Sequence, residues 1–339
     1  MKPNIFEIAT KELSQDAFIT WLLKYGDNSC NSIDSKLNLC AIEFINLLIR
    51  KSIPNFNEKI EKVVAKRQWK NIDIKAEIND KFLIIIEDKT NSGKRNNQLE
   101  RYKNIASKWC IDNNYEPPIC IYLKTGNESQ RDLNEIKKEG FSIFNRQDFI
   151  ILFNNHNEID NDIFVDFRDN IERKDKLNIE FTTKKIGDWK PYDYVGFYQL
   201  LETKMKILNW HYVDNPNGGF WNALLSWSYL GIYPTYLQIE EQKLCFKIST
   251  NPEDVVIPAN ELRKDIRNKI NKIILDKAKQ NNLLEIIKPR QFGHGNYMTV
   301  AIVERDYWLG KSDDFVDVNN VVNNLKKYLL FMANYVGVK

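Results

Sequence analysis

The stretch NIDIKAEINDKFLIIIEDKTNSGKRNNQLERY, residues 71–102, decides the fold because it combines two strand patterns, a turn and the start of a helix. Residues 82–87 form a short apolar, β-branched run, which predicts a strand buried on both faces. Residues 71–78 alternate apolar with charged or polar side chains, which predicts a half-buried strand. The Asn79-Asp80 pair favours a two-residue turn, so the two strands are predicted to form a hairpin.

Charged side chains gather at the open end of this hairpin. Glu87 and Lys89 are two residues apart, so on a strand they point to one face while Asp88 points to the other. The hairpin pairing is expected to place Asp73 beside Glu87. A buried strand that ends in three charges therefore predicts a site with a chemical use.

Two carboxylates at one sheet edge suit a hard divalent cation. Magnesium prefers oxygen ligands and needs only one or two protein carboxylates when the substrate supplies phosphate oxygens. We expect Asp73, Glu87 and the carbonyl of Asp88 to bind Mg²⁺ or Mn²⁺. Lys89 is expected to orient or deprotonate the attacking water and to offset charge on a phosphodiester. The alternative is that residues 87–89 are only a solvated strand end.

The order of an Asp, a hairpin and Glu-x-Lys resembles the PD-(D/E)XK nuclease superfamily, with Asp73, Glu87 and Lys89 at the motif positions. The family usually has a proline before the Asp, and Ile72 stands there in this chain. The resemblance covers about residues 1–150. It implies a metal-dependent nuclease that acts on nucleic acid, with DNA favoured over RNA.

The helix after the hairpin extends this resemblance. Gln98 and Tyr102 are four residues apart and resemble the Q-x-x-x-Y motif of the RecB-like branch, which implies that they position substrate. Lys94 and Arg95 lie just before them and could bind phosphates. The alternative is a solvent-facing glutamine and a tyrosine that only packs.

The N-terminal residues 4–23 resemble the opening helix of an uncharacterised bacterial group in the same superfamily. In such nucleases an acid on the first helix often completes the metal site, so the resemblance implies that Glu12 is a further metal ligand. Without the resemblance, Glu12 could equally be a surface charge.

The elements around the hairpin predict the α/β class, with a restriction-endonuclease-like mixed sheet flanked by helices. Further strands are expected over residues 60–69, 119–124 and 141–144. Helices are expected over residues 5–25, 39–51, 98–109 and 131–139.

The chain length of 339 residues favours two domains. We expect a nuclease domain over 1–155, a charged connector over 156–185 with a helix over 161–177, and a smaller α+β domain over 186–339. The last of these should have an antiparallel sheet with helices on one face. A basic helix near 259–280 could contact phosphates or an acidic partner.

Composition narrows the class of protein. A formal net charge of +3 argues against binding nucleic acid by bulk charge alone and leaves room for a local basic groove. The five cysteines are scattered without a C-x-x-C pair, which argues against a disulfide framework or a zinc site. The sequence shows neither a signal peptide nor a bilayer-spanning apolar run, so a cytoplasmic protein without membrane contact is expected.

The motif residues and the resemblance together predict a divalent-metal-dependent nuclease, and the resemblance implies a role in bacterial defence or DNA processing. Its C-terminal domain could close a homodimer or bind a protein partner. The alternative is a nucleic-acid-binding or partner-regulated sensor on the same fold, with conditional cleavage or none.

Overall fold

The predicted hairpin is present and joins β2 (Ile72–Ile78) to β3 (Phe82–Lys89). Asn79 and Asp80 have φ values of 54° and 50°, the positive values that a tight hairpin turn requires and that Asn and Asp tolerate. The structure is a computed structural model that describes residues 2–90, 93, 97–214, 218–258, 261–293 and 295–336. The chain divides into two compact units after Lys176.

The first unit is built on a five-stranded mixed sheet in the order β1-β2-β3-β4-β5. Its other strands are β1 (Val63–Trp69), β4 (Ile119–Lys124) and β5 (Ser142–Asn145). The first three strands are antiparallel neighbours, and β3, β4 and β5 run parallel. The helices are α1 (Ile5–Ile8), α2 (Glu12–Tyr25), α3 (Ser35–Arg50), α4 (Gln98–Asn113), α5 (Gln130–Lys138), α6 (Arg146–Asn155) and α7 (Asp162–Ile179).

Both faces of β3 are buried, as its apolar run predicts. Ile84 and Ile86 belong to a core that includes side chains of α2, α3, α6 and α7. Leu83 and Ile85 belong to a second core with side chains of α4 and α5. This sheet between two helical layers confirms the predicted fold class.

Two details of the first unit differ from the sequence expectations. The single helix expected over 5–25 is interrupted, because α1 ends at Ile8 and α2 begins at Glu12. The segment expected as a solvated connector over 156–185 contains α7, whose Phe164, Phe167 and Ile171 are fully buried in the first unit's core. Composition alone did not predict this burial, because the segment is rich in charged residues.

The second unit has a six-stranded, fully antiparallel sheet in the order β10-β11-β9-β8-β7-β6. Its strands are β6 (Asn209–Val213), β7 (Phe220–Leu230), β8 (Tyr233–Glu240), β9 (Lys243–Ser249), β10 (Ile286–Ile287) and β11 (Tyr297–Val303). Its helices are α8 (Pro191–Glu202), α9 (Arg263–Gln280), α10 (Arg305–Trp308) and α11 (Val318–Phe331), followed by a π-helical turn at Met332–Val336.

One core of the second unit joins alternate residues of β8, such as Leu237 and Ile239, to apolar residues of α8, α9 and α11. This matches the expected antiparallel sheet with helices packed against it. Among the described helices, none combines the length and the apolar character needed to cross a membrane.

Candidate active site

The open end of the hairpin brings the predicted acids together. The register pairs Ile74 with Ile86, so the preceding Asp73 lies opposite Glu87. Oδ2 of Asp73 accepts a hydrogen bond from the backbone N–H of Asp88 at 3.0 Å, which fixes the Asp73 carboxylate across the two strands. Glu87 is 1% exposed, so its carboxylate is held in a largely water-free position.

Lys89 lies among these acids on the same face as Glu87. Its Nζ is 2.5 Å from Oε1 of Glu87 and donates to the carbonyl oxygen of Asp88 at 2.9 Å. The same ammonium is 3.7 Å from Oδ2 of Asp73 and 3.8 Å from Oε2 of Glu12. One cation therefore contacts three carboxylates.

Glu12 reaches this cluster because α2 begins at that residue. Its Oε1 accepts a hydrogen bond from the backbone N–H of Thr90 at 3.0 Å, one residue beyond β3. The interruption between α1 and α2 thus places an acid in the first turn of α2, directly over the end of the strand. Glu12 contacts Lys89 and Thr90, and its role as a metal ligand stays a prediction.

Gln98 and Tyr102 face the site from the first turns of α4. Nε2 of Gln98 donates to Oε1 of Glu87 at 2.8 Å and to the hydroxyl of Tyr102 at 3.1 Å. Their spacing puts both side chains on one helix face. The pair therefore orients the Glu87 carboxylate, which is more than a solvent-facing glutamine would do.

Burial and charge shift the pKa values of this cluster in one direction. Burial, followed by the neighbouring Asp73 carboxylate, raises the pKa of Glu87 to about 8 even though Lys89 opposes the shift. Burial alone would lower the pKa of Lys89, but the carboxylates of Glu87, Asp73 and Glu12 outweigh it and raise that pKa. Lys89 is therefore an ammonium at neutral pH.

Comparison with known proteins places the chain in a family. A family model described as the PD-(D/E)XK nuclease superfamily matches residues 3–206, more than half of the chain. The chain belongs to the PD-(D/E)XK nuclease superfamily. No curated protein and no solved structure matches it significantly. The resemblance seen in the sequence is confirmed at the level of the superfamily.

Nucleases of this superfamily typically use divalent metals, and the donor atoms here fit such an ion. Within the part of the chain that the structure describes, no hydrogen bond reaches Oε2 of Glu87, although this oxygen is buried. In that same part, no group of three or more His, Cys, Asp or Glu side chains is arranged to hold a metal ion by itself. Magnesium does not need one, because water and phosphate oxygens complete its shell. Asp73, Glu87 and the Asp88 carbonyl offer hard oxygen donors of the required kind.

On the opposite face of β3, the Asp88 side chain enters a polar network that the sequence analysis missed. Nε2 of Gln15 donates to Oδ1 of Asp88 at 2.5 Å, and Asp16 lies against the same carboxyl group. Burial first, and then Asp16, raise the pKa of Asp88 well above its usual range. Burial and the Asp73 charge raise the pKa of Asp16 to about 6. Position 16 follows Glu12 by one helical turn, and this spacing is the signal that could have found it.

Two predicted phosphate-binding residues remain predictions. Lys94 and Arg95 lie outside the described residues. The six other side chains and the Asp88 carbonyl lie in the described part of the chain, and the contacts above connect them. They come from α2, β2, β3 and α4.

Proposed function

We propose that this chain is a divalent-metal-dependent nuclease that hydrolyses phosphodiester bonds, with DNA as its substrate. The observation that carries the proposal is the set of three acids, Glu12, Asp73 and Glu87, around the Lys89 ammonium at one strand end. Membership of the PD-(D/E)XK nuclease superfamily supports the reaction class.

In this proposal each residue of the site has a distinct role. Asp73, Glu87 and the Asp88 carbonyl hold Mg²⁺ or Mn²⁺, and Glu12 acts at the edge of the metal site. The bound metal supplies a Lewis acid and lowers the pKa of water. Gln98, fixed between Glu87 and Tyr102, keeps the Glu87 carboxylate in position.

The proposed role of Lys89 is narrower than the one expected from the sequence, because it does not include deprotonating the water. Because the surrounding acids keep it protonated, it donates hydrogen bonds and offsets charge instead of accepting a proton. Its ammonium is positioned to orient the water and to stabilise the negative charge that develops on the phosphoryl oxygens.

The experiment is incubation of the purified chain with single- and double-stranded DNA and RNA, each with Mg²⁺, with Mn²⁺ and with a chelator. We expect cleavage of DNA that requires a metal and stops with the chelator. Cleavage that survives the chelator, or no cleavage of any of the four substrates with either metal, contradicts the proposal.

One observation favours a second candidate. The Lys89 ammonium occupies the space between the acids, where a divalent cation would also be attracted. A protein that binds nucleic acid and cleaves only when a partner or signal shifts Lys89 fits the same geometry. Metal-dependent binding without cleavage by the purified chain supports this conditional reading.

The second unit is proposed to provide recognition or control, through nucleic acid or a partner. The exposed Lys264, Lys269 and Lys272 of α9 form no ion pair with described residues. Arg267 of the same helix is buried and donates to the carbonyl oxygen of Gly293 at 2.9 Å. Reversing the three exposed lysine charges should weaken binding of all sequences alike if α9 contacts phosphates.

The same triple reversal also tests whether α9 binds a protein. If α9 binds a protein or closes a dimer, the triple reversal changes the sedimentation mass and leaves nucleic-acid affinity intact.

The setting that we propose, bacterial defence or DNA processing, rests on the resemblance of the N-terminal residues to a bacterial group.

A further inference from the structure

The charged edge of the first sheet continues past Lys89 onto the next strand. β3 and β4 are parallel, with Lys89 paired to Lys124 and Glu87 paired to Tyr122. Neighbouring strands lie about 4.8 Å apart, and paired residues of parallel strands point to the same face. A second lysine therefore stands beside Lys89, at the carboxyl end of β4.

Lys124 is held in an ion pair that stability alone does not explain. It is 2% exposed, and its Nζ lies 3.0 Å from Oε2 of Glu128, whose side chain is 14% exposed. Burial raises the pKa of Glu128 despite this lysine. A buried ion pair contributes little net stability, since apolar side chains of the same size often do as well.

The backbone beyond Lys124 is fixed by buried polar groups. Nη1 of Arg146 donates to the carbonyl oxygen of Thr125 at 2.9 Å and to Oδ1 of Asn127 at 3.0 Å. The Thr125 hydroxyl donates to Oε1 of Gln15 at 2.8 Å, and Gln15 also binds Asp88 on β3. The ends of β3 and β4 are thus tied together, and with them the positions of the two lysines.

A third polar group at this edge is the Tyr122 hydroxyl, which can still donate a hydrogen bond. Tyr122 is fully buried beside Glu87, and its hydroxyl makes no hydrogen bond within the described part of the chain. A buried donor without an acceptor costs about 1–3 kcal/mol in general. An oxygen-rich ligand at the strand ends would give it an acceptor.

We infer that Lys124 is a substrate-binding residue that holds a phosphate of the nucleic acid next to the one that is cleaved. This inference rests on the proposed nuclease function. Lys89 lies within the acid cluster, where the cleaved phosphate is proposed to bind. Lys124 lies one strand further on and is therefore placed to bind the neighbouring phosphate. Glu128 holds Lys124 in the free protein, and the phosphate competes with Glu128 for the same ammonium.

The competition predicts opposite effects for the two partners, which a purely structural pair would not show. Binding is measured in a Glu87→Gln background, which prevents cleavage, with single- and double-stranded DNA across about 50 to 200 mM salt. Lys124→Met should raise the Kd about tenfold and reduce the salt slope by about one. Glu128→Gln should lower the Kd about two- to fivefold, since it removes the carboxylate that competes with the phosphate for Lys124.

The double variant Lys124→Met/Glu128→Gln separates the explanations and guards against misfolding. It removes the buried pair without leaving either charge alone, and we expect it to bind as weakly as Lys124→Met. Lys124→Arg should recover most of the affinity because it keeps the cation. Lys108→Met, on the exposed side of α4, removes one positive charge away from this edge and serves as the matched control.

The inference is overturned if Lys124→Met and the double variant bind like Lys108→Met, or if the gain from Glu128→Gln persists when residue 124 is already Met. In either case the parent would still bind DNA and cleave it with Mg²⁺, and only the role of Lys124 would fail. A parent chain that neither binds nor cleaves any nucleic acid would instead remove the proposed function on which the inference rests.

Discussion

The two faces of β3 carry buried acids that are adjacent in sequence and opposite in surroundings. Glu87 faces Lys89, Gln98 and Asp73, and one of its oxygens receives no hydrogen bond from described residues. Asp88 faces Gln15 and a second carboxyl group. Burial raises the pKa of both acids. The two faces differ in their neighbours: Lys89 places a cation beside Glu87, whereas Asp88 lies against the second carboxyl group of Asp16, and one oxygen of each acid receives no hydrogen bond from described residues.

The largest effect is expected on the Glu87 face. Asp73→Ala, Glu87→Ala and Lys89→Ala should each reduce the cleavage rate about a hundredfold or more, because each removes a proposed metal ligand or the positioned cation. The measurement is the initial rate of DNA cleavage at saturating Mg²⁺. Thermal unfolding of each variant checks that the fold is retained.

Retained cleavage in the triple variant with a chelator present would contradict this assignment. The fold is expected to survive Asp73→Ala and Glu87→Ala, since removing one carboxylate relieves repulsion between the two acids in the absence of metal. Lys89→Ala leaves three acids without their common cation and should be the least stable of the three.

Only part of this site could be predicted from the sequence. Strand periodicity and the turn residues were sufficient to place Asp73 beside Glu87 and to separate the faces of Glu87 and Asp88. The partners of Asp88 were not predictable in this way, because Gln15 is 73 residues away and meets it only through packing of α2 on the sheet. Lys124 was missed for the same reason, since parallel pairing joins strands that are distant in the chain.

The second unit shows the same limit. Alternating apolar residues were enough to predict an antiparallel sheet with helices. Charge counting along α9 could not reveal that Arg267 turns inward, because its partners are backbone carbonyl groups of a loop at residues 292–293. The sequence carries the periodicity of each element, while long-range polar contacts depend on how elements pack.

The next effect concerns the helix that supports the Glu87 face. Gln98→Ala should lower kcat about tenfold, because Glu87 loses a positioned donor at 2.8 Å. Tyr102→Phe removes only the hydroxyl that accepts from Gln98 at 3.1 Å, so its effect should be smaller. Steady-state cleavage rates across a Mg²⁺ titration measure both.

If both variants matched the parent chain throughout the titration, Gln98 and Tyr102 would be packing residues. Glu12→Gln belongs to the same experiment, because Glu12 contacts Lys89 and the Thr90 backbone. It should raise the Mg²⁺ concentration needed for half-maximal rate and leave the Kd for DNA nearly unchanged.

A smaller effect should appear in the pH dependence of stability without metal. The folded pKa of Glu87 is about 8, against an ordinary value of 4.5, so the folded state binds the proton more tightly. The stabilising contribution is fully present below the ordinary value and is lost as the pH rises through about 8. Glu87→Gln should therefore unfold at a higher temperature than the parent at alkaline pH, by about 2–4 °C for each kcal/mol.

Thermal unfolding of both chains from about pH 5 to about pH 9 with a chelator measures this difference. Saturating Mg²⁺ should raise the unfolding temperature of the parent more than that of Glu87→Gln, because the metal binds only the ionised carboxylate. A difference between the two chains that does not vary with pH would show that Glu87 has an ordinary pKa.

The smallest effect is expected on the Asp88 face, from Asp88→Asn. Burial and the neighbouring Asp16 raise the pKa of Asp88 and so favour its neutral form, which an amide of the same shape resembles. The amide can still accept from Gln15 and donate to Asp16. The proposed metal donor at this position is the backbone carbonyl, which the substitution keeps. We therefore expect a cleavage rate within about threefold of the parent and stability within about 0.5 kcal/mol, measured beside Glu87→Gln. A loss as large as that of Glu87→Gln would mean that the Asp88 side chain takes part in cleavage, and the division of β3 into a catalytic face and a structural face would no longer hold.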